Sequence, residues 1–295
     1  MTAVTVLRIV LIAFTLVFVF FLVKDFLAHK EDFKGKHYIA LGIIGLLTNF
    51  LDTLGIGSFA TTQAGFKFTK SSPDETMPGT LNVGDTIPVV LEAVLFFGLI
   101  EIDAVILIVF IATAVIGAVI GAAIVSKWPV KLVRIGLGVA LFILAIVLLC
   151  KLNGWGPFGA QGTITTLAEL GIAKFIIGAI VNFILGALMT IGVGLYAPCM
   201  ALVGALGMNI SAAFPIMMGS CAFLMPAAGI KFIKEGKYDR KATLMLTIFG
   251  VIGVLVAYYI IKTLPLTVLT YVVICVMLFT AAMFFKDAFK APAAK

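Results

Sequence analysis

Three acids, Asp52, Asp85 and Glu92, stand inside stretches of the chain that are otherwise apolar. A carboxyl group at membrane depth is costly and points to an ion path, a proton relay or a gate. Around the first acid runs "FLDTLGIGSFATTQ", Phe50 to Gln63, which sets it beside hydroxyls and two glycines. Glycines two residues apart do not make the groove of a helix-packing pair. They suit a backbone that leaves the helix or comes close to a ligand. Irregular backbone at that depth survives only where protein buries it or where it lines a cavity. The freed N–H groups, together with the hydroxyls of Thr53, Ser58, Thr61 and Thr62, make a neutral donor set for a small oxyanion. Weak coordination of this kind suits transport, because the ligand has to leave. An anion site does not want a fixed negative charge as a direct ligand. The three acids are therefore expected beside the anion, in proton coupling or gating.

The pattern occurs twice. "ALMTIGVGLYAPCM", Ala187 to Met200, matches the first stretch at a shift of 137 positions, with Thr190, Gly192 and Gly194 answering Thr53, Gly55 and Gly57. Pro198 and Cys199 follow in this copy, and Met189 stands where the first copy has Asp52. A second, weaker pair is "NVGDTIP" and "MGSCAFLMP", in which Gly84-Asp85-Thr86 answers Gly219-Ser220-Cys221. Both pairs are expected to wall one cavity. Asn49, Asn82, Asn182 and Asn209 are weaker candidates for its lining or for hydrogen bonds between helices.

The elements that must position these residues are membrane helices. The chain has 295 residues, 62% hydrophobic and 12% charged, against about 25% charged in soluble domains. Nine apolar runs predict helices at 5–27, 38–56, 78–99, 103–126, 130–151, 171–191, 209–230, 241–262 and 265–286. The first is too long for a signal-peptide core and lacks a cleavage site, so it reads as a retained N-terminal helix. Basic residues gather in four places: Lys24 to Lys36, Lys127 to Arg134, Lys231 to Lys241, and Lys286 to Lys295. The positive-inside rule wants all four in the cytoplasm, which nine simple crossings cannot achieve. One further irregular crossing at each glycine motif restores the rule and brings Lys67 and Lys70 to the same side. Each repeat then has an odd number of crossings, so the two run in opposite directions. That is the plan of many secondary transporters, with binding near the midplane.

The expected fold is an all-α polytopic membrane protein, a single transmembrane domain over 1–295. It comprises the helix at 5–27, repeat 1 at 38–151 and repeat 2 at 171–286, with glycine-broken or re-entrant segments.

Two G-x-G segments, each opening a multi-helix repeat, together with "GVGLYAP" and its Pro198, resemble the TauE/SafE sulfite exporter family of permeases. The resemblance spans about Tyr38 to Lys286. It implies a multi-pass transporter of the bacterial or archaeal cytoplasmic membrane, C-terminus inside, carrying sulfite, organosulfonates or a related small sulfur-containing anion. The family often carries three glycines where this chain has Gly57-Ser58-Phe59 and Gly194-Leu195-Tyr196, and Thr61 stands at the first-copy proline position. These departures bear on the substrate more than on the fold. The distantly similar thiosulfate permeases rely on cysteines, which makes Cys199 and Cys221 candidates for direct contact. Alternatives are a passive anion channel or uniporter, and a permease for a thiosulfate-like or small carboxylate anion.

Other classes find no motif. No HExxH, GxSxG or phosphate loop is present, so no enzyme is expected. No cysteine pair has metal or redox spacing, and neither a metal nor a cofactor is expected. The basic clusters lack the interleaved aromatics of a base-stacking surface, which argues against nucleic acid. The expected partners are the anion, membrane lipid and protons, in a monomer or homodimer.

Overall fold

The structure is a computed structural model that describes residues 3–34, 36–121, 129–155, 162–189 and 194–289. Within them the chain is helical, with no strand and one isolated bridge between Ile164 and Met208. The helices are α1 (Ala3–Ala28), α2 (Tyr38–Thr53), α3 (Ser58–Thr69), α4 (Met77–Gly84), α5 (Thr86–Phe96), α6 (Ala104–Ile116), α7 (Val130–Asn153), the single turn α8 (Leu167–Leu170), α9 (Ile172–Met189), α10 (Tyr196–Ala205), α11 (Ala213–Glu235), α12 (Arg240–Thr263) and α13 (Leu266–Phe289).

Among the described residues, seven segments are long and apolar enough to cross a bilayer, including Met77–Phe96, which carries α4 and α5 together. Their outer faces are apolar too. α1 buries Leu11, Phe18 and Leu22 but exposes Val10, Leu16, Phe20 and Leu27, and α7 exposes Leu132, Phe142, Ile143 and Ile146. Such faces are unfavourable in water by roughly 25 cal/mol per Å² and at home in hydrocarbon. This is an all-α, multi-pass membrane protein.

Several expected helices are cut differently. The run at 38–56 stops at Thr53, and the run at 78–99 is two helices meeting at Asp85. The run at 209–230 opens with a 3-10 turn at Ile210–Ala212 and continues to Glu235. Residues 122–126 of the expected 103–126 helix lie outside the described residues. After each glycine motif stands a short helix outside the nine runs: α3, of 12 residues, and α10, of 10. Neither reaches the ~20 residues a crossing requires.

The helices form two compact units, Met1–Leu99 with Met218–Thr263, and Ile100–Met217 with Leu264–Lys295. In the first, α12 lies along α2 at glycine positions. A Cβ on Gly253 would stand 2.2 Å from the Leu46 carbonyl oxygen, and one on Gly45 would stand 3.0 Å from Leu246 Cα. Beside this crossing Leu41, Ile44, Phe66, Met77, Ala242 and Leu246 form a core. α1 joins the unit through Phe18 and Leu22, which pack with Val83, Ile233 and Tyr238. Its end is pinned by Arg240, whose Nε donates to Asp25 Oδ2 at 2.6 Å, and by Tyr238, whose hydroxyl donates to the same oxygen at 2.5 Å. Burial, then the adjacent Asp25, push the Tyr238 phenol upward, so it keeps the hydrogen it donates.

In the second unit α9 lies along α6. A Cβ on Gly117 would stand 1.9 Å from the Phe183 carbonyl oxygen, and one on Gly186 would stand 2.0 Å from that of Ala114. Asn182 is buried here and donates to the Phe110 carbonyl. α7 lies along α13, where Gly138 meets the Phe285 ring.

Candidate functional site

The first glycine motif is a helix stop followed by a helix start. Ile56 N–H donates to the Leu51 carbonyl at 3.1 Å and Gly55 N–H to that of Asp52 at 2.7 Å. This is the paired bonding of a Schellman C-cap, which needs a left-handed residue, and Gly55 supplies it with φ 97°. Gly57 then precedes α3 with φ 91° and ψ 133°, a conformation essentially reserved for glycine. Asp52, at the end of α2, reaches across this reversal. Its Oδ1 accepts from Ser58 N–H at 2.8 Å, at the positive end of α3.

The second acid sits at the α4–α5 junction. Pro88 has no N–H to give the Gly84 carbonyl four residues earlier. Thr247 of α12 supplies the missing donor at 3.0 Å. Gly84 itself allows α12 this close, since a Cβ there would stand 2.9 Å from Leu246 Cδ1. Asp85 is thus presented at a proline-loosened point of the helix and is fully buried.

Three polar residues link the acids. Asn49 Nδ2 donates to the Gly45 carbonyl at 3.0 Å and to Asp85 Oδ1 at 3.2 Å, spending both amide hydrogens. The Ser58 hydroxyl adjoins both Asp52 and Asp85. Thr53 Oγ1 lies 2.9 Å from the Asn49 carbonyl oxygen and 2.7 Å from Glu92 Oε1. Asp52, Asp85 and Glu92 are 3%, 0% and 0% exposed, so all three belong to one buried network. Asp85 Oδ2 and Asn49 Oδ1 are buried in it and accept no hydrogen bond. Among the described residues Asp52 and Asp85 form no ion pair, and no three His, Cys, Asp or Glu residues are arranged to hold a metal.

No protein-family model, curated protein or solved structure matches this chain.

The remaining sequence candidates fall in different places. Thr61 donates to the Ser58 carbonyl at 2.8 Å, and Thr62 is bonded to Thr48 Oγ1 at 2.9 Å, so both hydroxyls are engaged within the protein. Gly219, Ser220 and Cys221 are buried on α11, which continues unbroken where the α4–α5 helix bends. They share the first unit with the acids, whereas Gly194, Pro198 and Cys199 belong to the second. Pro198 and Cys199 are buried in the first turn of α10, and Gly194 precedes it with open space where a Cβ would be. Thr190 and Gly192 lie outside the described residues. The weight carried by Asn49 exceeds the sequence expectation, and Thr48, Pro88 and Thr247 were not singled out at all. The spacing of Pro88 four residues after Gly84 is a legible sign of an orphaned carbonyl, but its donor lies 163 positions away.

Proposed function

We propose that this chain is a secondary transporter of a small anion, coupled to protons through the Asp52–Asp85–Glu92 network. The observation that carries the reading is the burial of three carboxyl groups beside the neutral groups of Asn49, Thr53 and Ser58, with no ion pair to Asp52 or Asp85 among the described residues. Three negative charges in such a place are expensive, and protons remove that cost without a bound cation. The hydrogen count agrees. Thr53 has one hydroxyl hydrogen and two acceptors at bonding distance. A protonated Glu92 would donate to Thr53 and free that hydrogen for the Asn49 carbonyl. A proton on Asp85 would sit on Oδ2, the oxygen that accepts no hydrogen bond. Loading and unloading these protons would remake the bonds that hold α2 to α5, which is a means of tying conformation to proton flow.

Matched contacts, which we read as the trace of a repeat, support the transporter reading. Leu46 and Phe183 stand 137 positions apart, as do Asn49 and Gly186, while Gly117 and Gly253 stand 136 apart, as do Ala114 and Gly250. The close contact of Gly253 with Leu46 is answered by that of Gly117 with Phe183, and Gly250 against Asn49 by Ala114 against Gly186. On this reading each unit pairs the opening helix of one repeat with a later helix of the other, and the repeats exchange equivalent parts. The acids occur in only one of the two crossings. The substrate class, sulfite or a small organosulfonate, rests on the resemblance of the glycine motifs to the sulfite exporters.

The test is flux of sulfite and sulfoacetate in proteoliposomes, with and without a pH gradient. Wild type should follow the gradient, and Asp85→Asn should lose that response while retaining exchange. Flux that ignores the gradient in wild type overturns the coupling and favours a passive anion uniporter. Transport of a short carboxylate but of no sulfur oxyanion overturns the substrate class.

A further inference from the structure

The C-terminal end of α3 borders a cavity of about 400 Å³, away from the acid network, lined by Phe66, Lys67, Lys70, Ser71, Ser72 and Pro73. We propose that this cavity is a binding site for a phosphate group, that of an anionic phospholipid headgroup. Two cations face it, and among the described residues neither Lys67 nor Lys70 forms an ion pair. Asp239, which meets the cavity-lining Ser72, is already engaged. Its Oδ2 accepts from the Ser72 hydroxyl at 3.0 Å and its Oδ1 from Ala242 N–H at 3.0 Å. Both Asp239 oxygens are thus engaged away from the two lysines that line the cavity.

The backbone adds a second observation. Ser71 N–H closes the end of α3 on the Phe66 carbonyl at 3.3 Å, and the left-handed residue this closure needs is Lys70, with φ 49°. Glycine is the usual occupant of that position because a side chain there is strained. Here the strained position holds a lysine at the cavity's edge. The third observation favours lipid over a soluble phosphate. Phe68, between the two lysines, is 91% exposed. An exposed phenyl ring at the end of this short helix is at home among acyl chains, and lysines beside it then reach the headgroup level. A phosphate held by Lys67 and Lys70 and an acyl chain against Phe68 describe one phospholipid.

The experiment is native mass spectrometry of the full-length protein titrated with phosphatidylglycerol and, separately, phosphatidylcholine. Wild type should retain phosphatidylglycerol selectively. Lys67→Gln with Lys70→Gln should weaken its first binding step at least about tenfold, given the contribution of each lysine near an anionic lipid. Lys67→Arg with Lys70→Arg should restore it. Lys30→Gln with Lys231→Gln removes the same charge from exposed positions elsewhere and should leave binding unchanged. An equal loss in that control, or undiminished binding in the Lys67/Lys70 glutamine variant, overturns the site. Thermal unfolding with glycerol phosphate separates the two sources of phosphate. Stabilisation of wild type but not of the glutamine variant, without phosphatidylglycerol selectivity, supports the phosphate chemistry and assigns it to a soluble ester. No response to either ligand overturns the proposal. Neither lysine belongs to the acid network, so this outcome is independent of the coupling test.

Discussion

Individual residues in the site are held by constraints that substitution separates. Gly57 has nothing within 4 Å of the position a Cβ would take, yet its φ is 91°. Gly57→Ala therefore isolates backbone strain, and thermal unfolding in detergent should report a loss of about 1–3 kcal/mol. Thr53→Val keeps the shape of the side chain and removes the hydroxyl between the Asn49 carbonyl and Glu92. It should lower stability by about 1–2 kcal/mol and should also alter the pH profile of flux. A purely structural hydroxyl would change stability alone. Asn49→Leu removes the amide that spends both hydrogens on Gly45 and Asp85. Its effect on coupling should match that of Asp85→Asn, read as the loss of flux driven by a pH gradient.

At the scale of elements, the α4–α5 bend depends on a donor borrowed from α12. Thr247→Val leaves the Gly84 carbonyl without its partner and should cost about 1–2 kcal/mol, in the range of hydrogen bonds between membrane helices. Pro88→Ala restores an N–H four residues after Gly84, so that the helix can satisfy its own carbonyl. Adding Pro88→Ala to Thr247→Val should recover most of that loss, and unfolding of the two single variants and the double variant measures the coupling. If the double variant is no more stable than Thr247→Val alone, the carbonyl is not the group at issue. The straightened helix should still move Asp85, so recovered stability is expected without recovered coupling. α2 ends by a different device. Its stop is written into Gly55 and its successor's start into Gly57, so the break there needs no help from another helix.

At the scale of the molecule, Gly253 and Gly117 each stand at a close helix crossing. Gly253→Ala would drive a Cβ to 2.2 Å from the Leu46 carbonyl oxygen, and Gly117→Ala one to 1.9 Å from that of Phe183. Each should destabilise by about 1–3 kcal/mol, as overpacking of a tight interface does. If the chain is built from exchanged repeats, the two losses should be similar in unfolding experiments. Their effects on transport should then differ, because only the α2–α12 crossing adjoins the carboxyl network. Gly250→Ala is the sharper case. Its Cβ would fall 2.7 Å from Asn49 Nδ2, so it should impair coupling at a smaller cost in stability than Gly253→Ala.

The sequence by itself determined the solvent, the helical class and the identity of the costly residues. Apolar runs of membrane length can only be helices in lipid, because every backbone group must be satisfied within the segment. Asp52, Asp85 and Glu92 were conspicuous because nothing apolar accounts for a carboxyl group there. The Thr-x-Gly-x-Gly break was legible too, since left-handed φ is a local property that glycine declares in the sequence. What only the tertiary structure decided is which polar groups share a bond. Asn49 meets Asp85 across 36 positions, and Thr53 meets Glu92 across 39. Thr247 answers a carbonyl on a helix far away in the chain. Such pairings depend on how helices cross, and the crossings are set by close contacts of small residues whose partners no local pattern names. For the same reason the hydroxyls expected to face an anion could not be distinguished, from spacing alone, from hydroxyls already bonded within the protein.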